Sequence, residues 1–271
     1  MPRGDGYPLD RPSPAPLVSP TLESNWNAVR RRIDAAAARA GRAAGEVALL
    51  AVTKEVGPEV AAALAALGQA DLGESRADEL ERKATALRAR GLAPRWHFVG
   101  HLQRNKARRV VRVADEVHSV DDPELLAALA RVAAEEGRRP RVWLQVKLWP
   151  EPAKSGFAPG EVRAAVLAAR SLPSLELAGV MAIAPLLPPG AAEPAAREVF
   201  GSLAALAREL SRDPETARAF TGGRARTSMG MSGDLEVAVE QGSDLVRVGG
   251  ALYQGLDARD LAAPSSREAG G

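Results

Sequence analysis

The sequence predicts an α/β fold, a single closed (β/α)8 TIM barrel with one extra N-terminal helix. A short apolar run, a turn and a helical pattern follow one another eight times. Strands that alternate with helices favour a parallel sheet, because parallel pairing needs a crossover connection. Eight such units in roughly 240 residues fit a closed barrel better than the alternative, a doubly wound open sheet. No glycine-rich dinucleotide fingerprint follows the first strand.

The chain opens with a proline-rich stretch, residues 1–20, whose composition cannot repay the entropy of ordering and predicts a flexible tail. Apolar residues at spacings of three and four from Trp26 to Ala37 then predict the extra helix. We expect the barrel domain to occupy residues 21–258. A second flexible tail, residues 259–271, is expected after it.

The predicted strands are short apolar runs bounded by turns. They are Val47–Lys54, Ala70–Gly73, Trp96–Val99, Glu116–Val120, Val142–Val146, Leu177–Ala182, Arg226–Met229 and Leu245–Val248. Helical patterns lie between them near residues 58–67, 74–90, 102–112, 122–137, 159–171, 194–211 and 232–241. In such barrels the chemistry lies where strands lead into helices, and the unusual residues of this chain fall at those positions.

The composition excludes several classes of protein. Hydrophobic residues make up 46% and charged residues 26%, as in soluble globular proteins. A net charge of +2 without a long basic block does not require a nucleic-acid partner. There is no cysteine, which excludes disulfides and thiolate metal sites and leaves the redox compartment undetermined. The first residues show no signal pattern and no apolar run reaches membrane-spanning length, so we expect a cytoplasmic protein. No exposed apolar stripe stands out, which favours a monomer.

A lysine, Lys54, closes the first strand in a chain with only five lysines among 36 basic residues. Only an amine can lose its proton and attack a carbonyl, which arginine cannot do. Burial and nearby positive charge would favour the reactive, deprotonated amine. The alternative is a solvated lysine that contributes only its charge.

The loops after the seventh and eighth strands predict a phosphate site. Gly249 and Gly250 precede a short predicted C-terminal helix, and free backbone N–H groups and a helix dipole converge at such a position. The hydroxyl of Ser228 or Ser232 can donate directly to the anion. Gly249-Gly250 as a plain turn is the alternative.

A lysine and a phosphate site at one barrel mouth suggest a ligand with an aldehyde and a phosphate, and pyridoxal 5′-phosphate (PLP) has both. Its aldehyde would form a Schiff base with Lys54. Arg247, in the middle of the eighth strand, is expected to point inward and face the pyridine nitrogen, which an arginine leaves largely unprotonated. A core salt bridge is the alternative role for Arg247.

Two other sets of residues suggest no site. His97, His101 and His118 form no helical i, i+4 pair, so we predict no metal site. The basic residues 104–109 have the spacing of one solvated helix face rather than of a nucleic-acid site.

Eight motifs follow one another in order along the chain. They are A-V-T-K (51–54), L-G-E-S (72–75), W-H-F-V-G-H-L-Q-R-N-K (96–106), V-H-S-V-D (117–121), K-S-G (154–156), G-V-M-A-I (179–183), S-M-G-M-S-G-D (228–234) and V-R-V-G (246–249). With these motifs the chain resembles the YggS/PROSC family of pyridoxal-phosphate homeostasis proteins, which is related in fold to the N-terminal barrel of alanine racemase. The resemblance covers about residues 25–255.

The resemblance implies a PLP carrier or buffer that affects amino-acid and keto-acid balance, has no established turnover and passes PLP to dependent apoenzymes. It implies Lys54 as the Schiff-base lysine, Arg247 beside the pyridine nitrogen, and Ser228 with the Gly249-Gly250 backbone around the phosphate. The expected cofactor-binding residues are Lys54, Ser75, Met181, Ser228, Met229, Gly230, Arg247, Gly249 and Gly250. The alternatives are an amino-acid racemase or decarboxylase of this fold type, and a barrel for another phosphorylated metabolite.

The chain departs from the family pattern at four places. Ser75 and Lys147 stand where asparagine is common, Gly250 replaces a usual serine or threonine, and Tyr253-Gln254-Gly255 replaces a phenylalanine-glycine ending. The change at Gly250 removes a hydroxyl from the expected phosphate site. We therefore expect weaker PLP binding than is usual in the family.

Overall fold

The structure is a computed structural model that describes residues 18–150, 155–188 and 190–256. Its eight strands form one closed parallel barrel in chain order, which confirms the predicted fold and excludes the open sheet. The expected C-terminal tail and residues 1–17 of the expected N-terminal tail lie outside the described residues.

All eight predicted strands are confirmed, with bounds shifted by a few residues at most. They are β1 (Ala48–Val52), β2 (Asp71–Glu74), β3 (Arg95–Phe98), β4 (Glu116–Val120), β5 (Arg141–Gln145), β6 (Glu176–Met181), β7 (Arg226–Ser228) and β8 (Leu245–Val248). Strand β8 closes the barrel against β1, with Leu50 opposite Arg247. The first and last strands are thereby neighbours, so residues almost 200 positions apart share one wall.

The helices follow the predicted pattern and surround the sheet. They are α1 (Pro20–Arg39), α2 (Pro58–Ala66), α3 (Ala77–Arg88), α4 (Ala107–Val113), α5 (Pro123–Glu135), α6 (Pro159–Arg170), α7 (Ala192–Arg212), α8 (Pro214–Ala217), α9 (Leu235–Glu240) and α10 (Gly250–Tyr253). Proline begins five of them, because its fixed φ suits a first helical residue and its missing N–H is not needed there.

One helix boundary and one short helix differ from the expectation. Helix α1 already begins at Pro20, inside the stretch expected to be a tail, and Val18 packs against the core. Proline at the first helical position explains why this end of the tail is helical. The short helix α8 was not predicted, because four residues are too few to show a period.

Two kinds of core result from the alternation of side chains along each strand. The larger core lies between the sheet and the helices. Inside the barrel are two small apolar clusters, one of Leu50, Val52 and Leu245 and one that contains Trp143 and Met181. Buried histidine, serine and arginine side chains also occupy this lumen, so the interior of the barrel is partly polar.

The N-terminal rim, where the strands begin, carries alternating acids and arginines. Asp71 on β2 pairs with Arg95 on β3 at 2.6 Å, and Arg141 on β5 contacts both Glu116 and Glu176 at distances of 3.3 and 3.2 Å. These residues are cross-strand neighbours, so the parallel register itself brings opposite charges together.

Helix α1 holds the segments that follow β7 and β8. The side chain of Asn25 donates hydrogen bonds to the carbonyls of Leu252 and Gln254, and Arg32 donates to the carbonyl of Ser232 and the carboxylate of Glu236. The extra helix therefore fixes one side of the opposite, C-terminal rim. Among the described residues, no helix combines the length and the apolar character needed to cross a membrane.

Candidate functional site

Lys54 lies at the mouth of the barrel rather than in its core. Strand β1 ends at Val52, two residues earlier. Alternate residues of a strand point to the same side, so Lys54 continues the series of Leu50 and Val52, whose side chains face the lumen. The lysine side chain is 52% exposed and its Nζ lies 4.0 Å from the carboxylate of Glu55. The expectation that Lys54 is buried is therefore wrong, because β1 stops two residues before it. The role of nearby positive charge stays a prediction.

The turn that carries Lys54 rests on a buried ion pair. Lys83 on α3 contacts the carboxylate of Glu74 at 2.5 Å and donates to the carbonyl of Thr53 at 2.6 Å. The Thr53 hydroxyl donates to the same carboxylate, and Ser75 donates its backbone N–H to the other carboxylate oxygen. Both charged side chains are 1% exposed, so the backbone next to Lys54 is held by a pair shielded from water.

Sequence reasoning missed this ion pair. The one signal for Lys83 was its position on the apolar face of α3, in line with Leu80, Ala84 and Leu87, all of which are buried. A lysine at such a position needs a buried partner, since an unpaired buried charge is costly.

Arg247 is a buried cation in the lumen. It is 6% exposed, and its guanidinium donates to the hydroxyl of Ser228 at 2.7 Å and to the carbonyl of Ala182 at 3.0 Å. It forms no ion pair with any residue that the structure describes, which removes the alternative of a salt bridge within that part of the chain. Burial lowers the pKa of Arg247 to about 10, and the charge of Asp234 opposes this only in part. The side chain stays charged at neutral pH.

Ser228 and Met229, both expected to bind the cofactor, point in opposite directions. The Ser228 hydroxyl lies within 3.1 Å of His118 Nδ1 and accepts from Arg247, so it belongs to the lumen. The Met229 side chain lies in the core between sheet and helices, and only its backbone can reach the mouth. Alternation along β7 explains the difference.

Met181 and Gly230 lie close together on this rim, because Met181 ends β6 and Gly230 follows the neighbouring strand β7. Gly230 has φ of +95°, and a Cβ there would lie 2.5 Å from that of Ala238, so a larger residue does not fit this turn. Its carbonyl accepts from the backbone N–H of Arg247 at 2.9 Å. Met181 ends β6 in the apolar lumen cluster with Trp143.

The turn between β8 and α10 is built from Gly249 and Gly250. The hydroxyl that meets it is that of Ser232, which accepts from the N–H of Ala251 at 3.3 Å. A Cβ on Gly250 would meet nothing closer than this hydroxyl, at 4.0 Å. Tyr253 ties the helix to β1 by donating to the carbonyl of Val52 at 3.0 Å, and burial raises its pKa well above the ordinary value.

Two of the three histidines contact each other in the lumen. The search for i, i+4 pairs along a helix could not find this contact, because the two residues lie on different strands. His97 and His118 are each third in neighbouring strands, and their ring nitrogens lie 2.9 Å apart. With Glu116 they bring possible metal ligands within 4.8 Å of one another. All four ring nitrogens are already within hydrogen-bonding distance of another group, so the absence of a metal stays our prediction. His101 is separate and contacts Asp121 at 3.2 Å.

Other residues singled out in the sequence lie outside the site. Arg108 and Arg109 on α4 are paired with glutamates of the neighbouring helices α3 and α5, as expected for a solvated helix face. The absence of a nucleic-acid partner stays a prediction. Lys154, in the expected K-S-G motif, falls outside the described residues.

Comparison with known proteins first defines the class of barrel. Residues 24–257 match the family described as the N-terminal domain of alanine racemase. An alanine racemase of Clostridium difficile shares the fold with a TM-score of 0.61 at 16% identity, and this chain covers 56% of it.

The particular family follows from nearer relatives. Pyridoxal phosphate homeostasis proteins of Deinococcus radiodurans and Pseudomonas aeruginosa are 39% and 36% identical, over 83% and 91% of this chain and 98% and 99% of theirs. PipY of Synechococcus elongatus, solved with PLP bound, has a TM-score of 0.72 at 32% identity over 86% of this chain and 99% of its own. This chain belongs to the pyridoxal phosphate homeostasis protein family.

Proposed function

We propose that this protein binds PLP at the C-terminal rim of its barrel and serves intracellular PLP homeostasis as a carrier or buffer. The observation that carries the proposal is Arg247, a buried cation without an ion-pair partner among the described residues, on the strand next to that of Lys54. The PLP-bound structure of PipY, whose fold this chain shares, supports the same ligand.

Each part of the ligand has a matching group at this rim. The half-exposed side chain of Lys54 would supply the amine that condenses with the aldehyde, with release of one water. Arg247 faces the pyridine nitrogen and leaves it largely unprotonated. The Gly249-Gly250 backbone receives the phosphate, with the hydroxyl of Ser232.

The remaining expected residues shape this pocket. Met181 forms part of its apolar wall, Gly230 permits the turn, and Ser75 follows the strand next to β1. Met229 contributes only its backbone. Ser228 contributes indirectly, because its hydroxyl accepts a hydrogen bond from Arg247 inside the lumen. The phosphate hydroxyl is thus assigned to Ser232 rather than to Ser228.

A carrier is favoured over a racemase by the extent of the similarity. The chain covers 98–99% of the first two homeostasis proteins, but only 56% of the Clostridium difficile racemase. The likeness to racemases is thus to one part of those enzymes. Sustained racemisation of an amino acid, lost in Lys54→Ala, would favour the enzyme instead.

We further propose a cytoplasmic monomer that passes PLP to apoenzymes. Among the described residues, Leu186 is the one exposed large hydrophobic side chain, which leaves little apolar surface for a stable subunit interface. Sedimentation of the PLP-loaded protein tests this part, and a dimer would contradict it.

The experiment is a titration of the purified protein with PLP, followed by absorbance, borohydride reduction and peptide mapping. We expect a visible band and a reducible adduct on Lys54. Lys54→Ala should lose the adduct, whereas Lys106→Ala, which removes an exposed lysine from the β3–α4 connection, should keep it. A parent protein that stays colourless, or a Lys54→Ala variant that traps PLP fully, contradicts the proposal.

A further inference from the structure

An unbroken line of buried polar groups connects the N-terminal rim to Arg247. His97 Nε2 lies 3.0 Å from Asp71 Oδ1, and His97 Nδ1 lies 2.9 Å from His118 Nε2. His118 Nδ1 lies 3.1 Å from the hydroxyl of Ser228, which accepts from Arg247. Beneath Asp71, the guanidinium of Arg95 reaches solvent. Strands β2, β3, β4, β7 and β8 each contribute to this line.

The hydrogens of the line have one arrangement that satisfies every member with both rings neutral. Asp71 as a carboxylate only accepts, so His97 donates to it from Nε2 and accepts at Nδ1. His118 then donates from Nε2 and accepts at Nδ1, and the hydroxyl that donates to it belongs to Ser228. Each of the three contacts from Asp71 to Ser228 then contains one hydrogen, and the oxygen of Ser228 remains free to accept from Arg247.

The charges around the line support this arrangement. Burial opposes ionisation of Asp71, but hydrogen bonds from His97 and Arg95 outweigh it and hold the pKa of Asp71 well below its usual value. Burial, followed by neighbouring positive charge that includes Arg247 and Arg226, lowers the pKa of His118. A carboxylate therefore ends the line at one rim, and a neutral ring lies near the cation at the other.

We propose that Asp71, His97 and His118 are positioning residues for PLP binding, which act through Ser228 to hold the guanidinium of Arg247 at the ring nitrogen. This inference rests on the proposed function, because it needs a ligand in front of Arg247. All hydrogens in the line point towards Asp71, and hydrogen bonds that point the same way polarise one another. The oxygen of Ser228 thereby becomes a better acceptor for the guanidinium of Arg247.

A reversed line would weaken that hold. If His118 donated to Ser228, the serine oxygen would have to accept from both His118 and Arg247, and its own hydrogen would need another acceptor inside the barrel. The negative charge of Asp71 prevents the reversal, since His97 Nε2 must donate to it. An amide at position 71 can donate as well as accept, so Asp71→Asn permits either direction.

The test compares two matched carboxylates of the N-terminal rim. Asp71 and Asp244 are each 7% exposed and each bind an arginine that is 58% exposed, but only Asp71 belongs to the line. We expect Asp71→Asn to weaken PLP binding by about threefold to tenfold. Asp244→Asn should leave the dissociation constant of PLP unchanged.

A double-mutant cycle shows whether Asp71 acts through Ser228. In a Ser228→Ala background the link is absent, so adding Asp71→Asn should have no further effect on the dissociation constant. An undiminished effect in that background, no effect in the parent, or an equal effect of Asp244→Asn overturns the inference. If Asp71→Asn does not fold, His97→Gln takes its place in the cycle. Failure of the proposed function is distinct, because the parent itself would then form no adduct on Lys54.

Discussion

The two rims of the barrel differ in how their charged side chains are paired. At the N-terminal rim, acids and arginines alternate around the strand starts, and Arg95, Arg141 and Arg224 remain partly exposed beside their partners. At the C-terminal rim, Lys54 and Arg247 lie near the mouth without a close carboxylate in hydrogen-bonding contact among the described residues. The N-terminal rim pairs its charges with its own side chains, whereas at the C-terminal rim we propose that a ligand meets the two cations.

The C-terminal rim also contains the ion pair between Lys83 and Glu74, in which both side chains are buried. Unlike the pairs of the other rim, it is shielded from water on both sides, and it holds backbone rather than ligand. An ion pair therefore contributes differently to stability at the two rims, because water screens the exposed pairs and does not screen the buried one.

The largest expected effect comes from breaking this buried pair. Lys83→Met keeps much of the side-chain volume but leaves the Glu74 carboxylate buried without its ion partner, so we expect a loss of about 3–5 kcal/mol in the free energy of unfolding. Urea denaturation measures it. Arg90→Met is the control, because its partner Glu59 is largely exposed and the loss should stay below about 1 kcal/mol. Equal losses would show that burial does not separate the two kinds of pair.

A smaller effect is expected at the N-terminal rim from Asp71→Asn. Hydrogen bonds to a carboxylate from Arg95 and His97 are worth about 1.5–3 kcal/mol, and we expect a loss of that size at pH 7. The pKa of Asp71 is lower in the folded protein, so its contribution is complete above the unfolded value of about 3.9 and is lost as the pH falls towards the folded value.

The difference in stability between the parent and Asp71→Asn should therefore be steady from pH 7 to about pH 4 and narrow below it. Urea denaturation of both proteins at pH 7, 5 and 3 measures this. The exposed Asp78→Asn serves as the control, with an expected change below about 1 kcal/mol. A difference that widens in acid would contradict the assignment of a charged, hydrogen-bonded Asp71.

The smallest effect is expected at the glycine turn of the C-terminal rim. Gly250→Ser has room for its side chain beside Ser232, and the added hydroxyl should tighten PLP binding by up to about tenfold. Titration with PLP measures the dissociation constant. Gly230→Ala is the contrasting variant, since its Cβ would collide with Ala238, and it should weaken binding. Weaker binding by Gly250→Ser would place the phosphate elsewhere.

Much of the candidate site could be predicted because it follows strand ends. The C-terminal positions of parallel strands share one rim, so Lys54, Gly230 and Gly249 were expected there from order along the chain alone. The direction of Arg247 into the lumen likewise followed from its place in β8. What could not be predicted was exposure, and Lys54 proved half exposed because β1 ends two residues before it.

The sequence by itself determined the eight strands, the longer helices, their order and the closed barrel, because local periodicity and turn residues report on backbone conformation wherever the chain later packs. Only the tertiary structure decided which side chains meet across the lumen. His97, His118 and Ser228 are up to 131 residues apart by number, and their contacts depend on strand register and on which face of each strand turns inward. A shift of one residue would reverse that choice, and periodicity within a short strand does not fix its register against a neighbour.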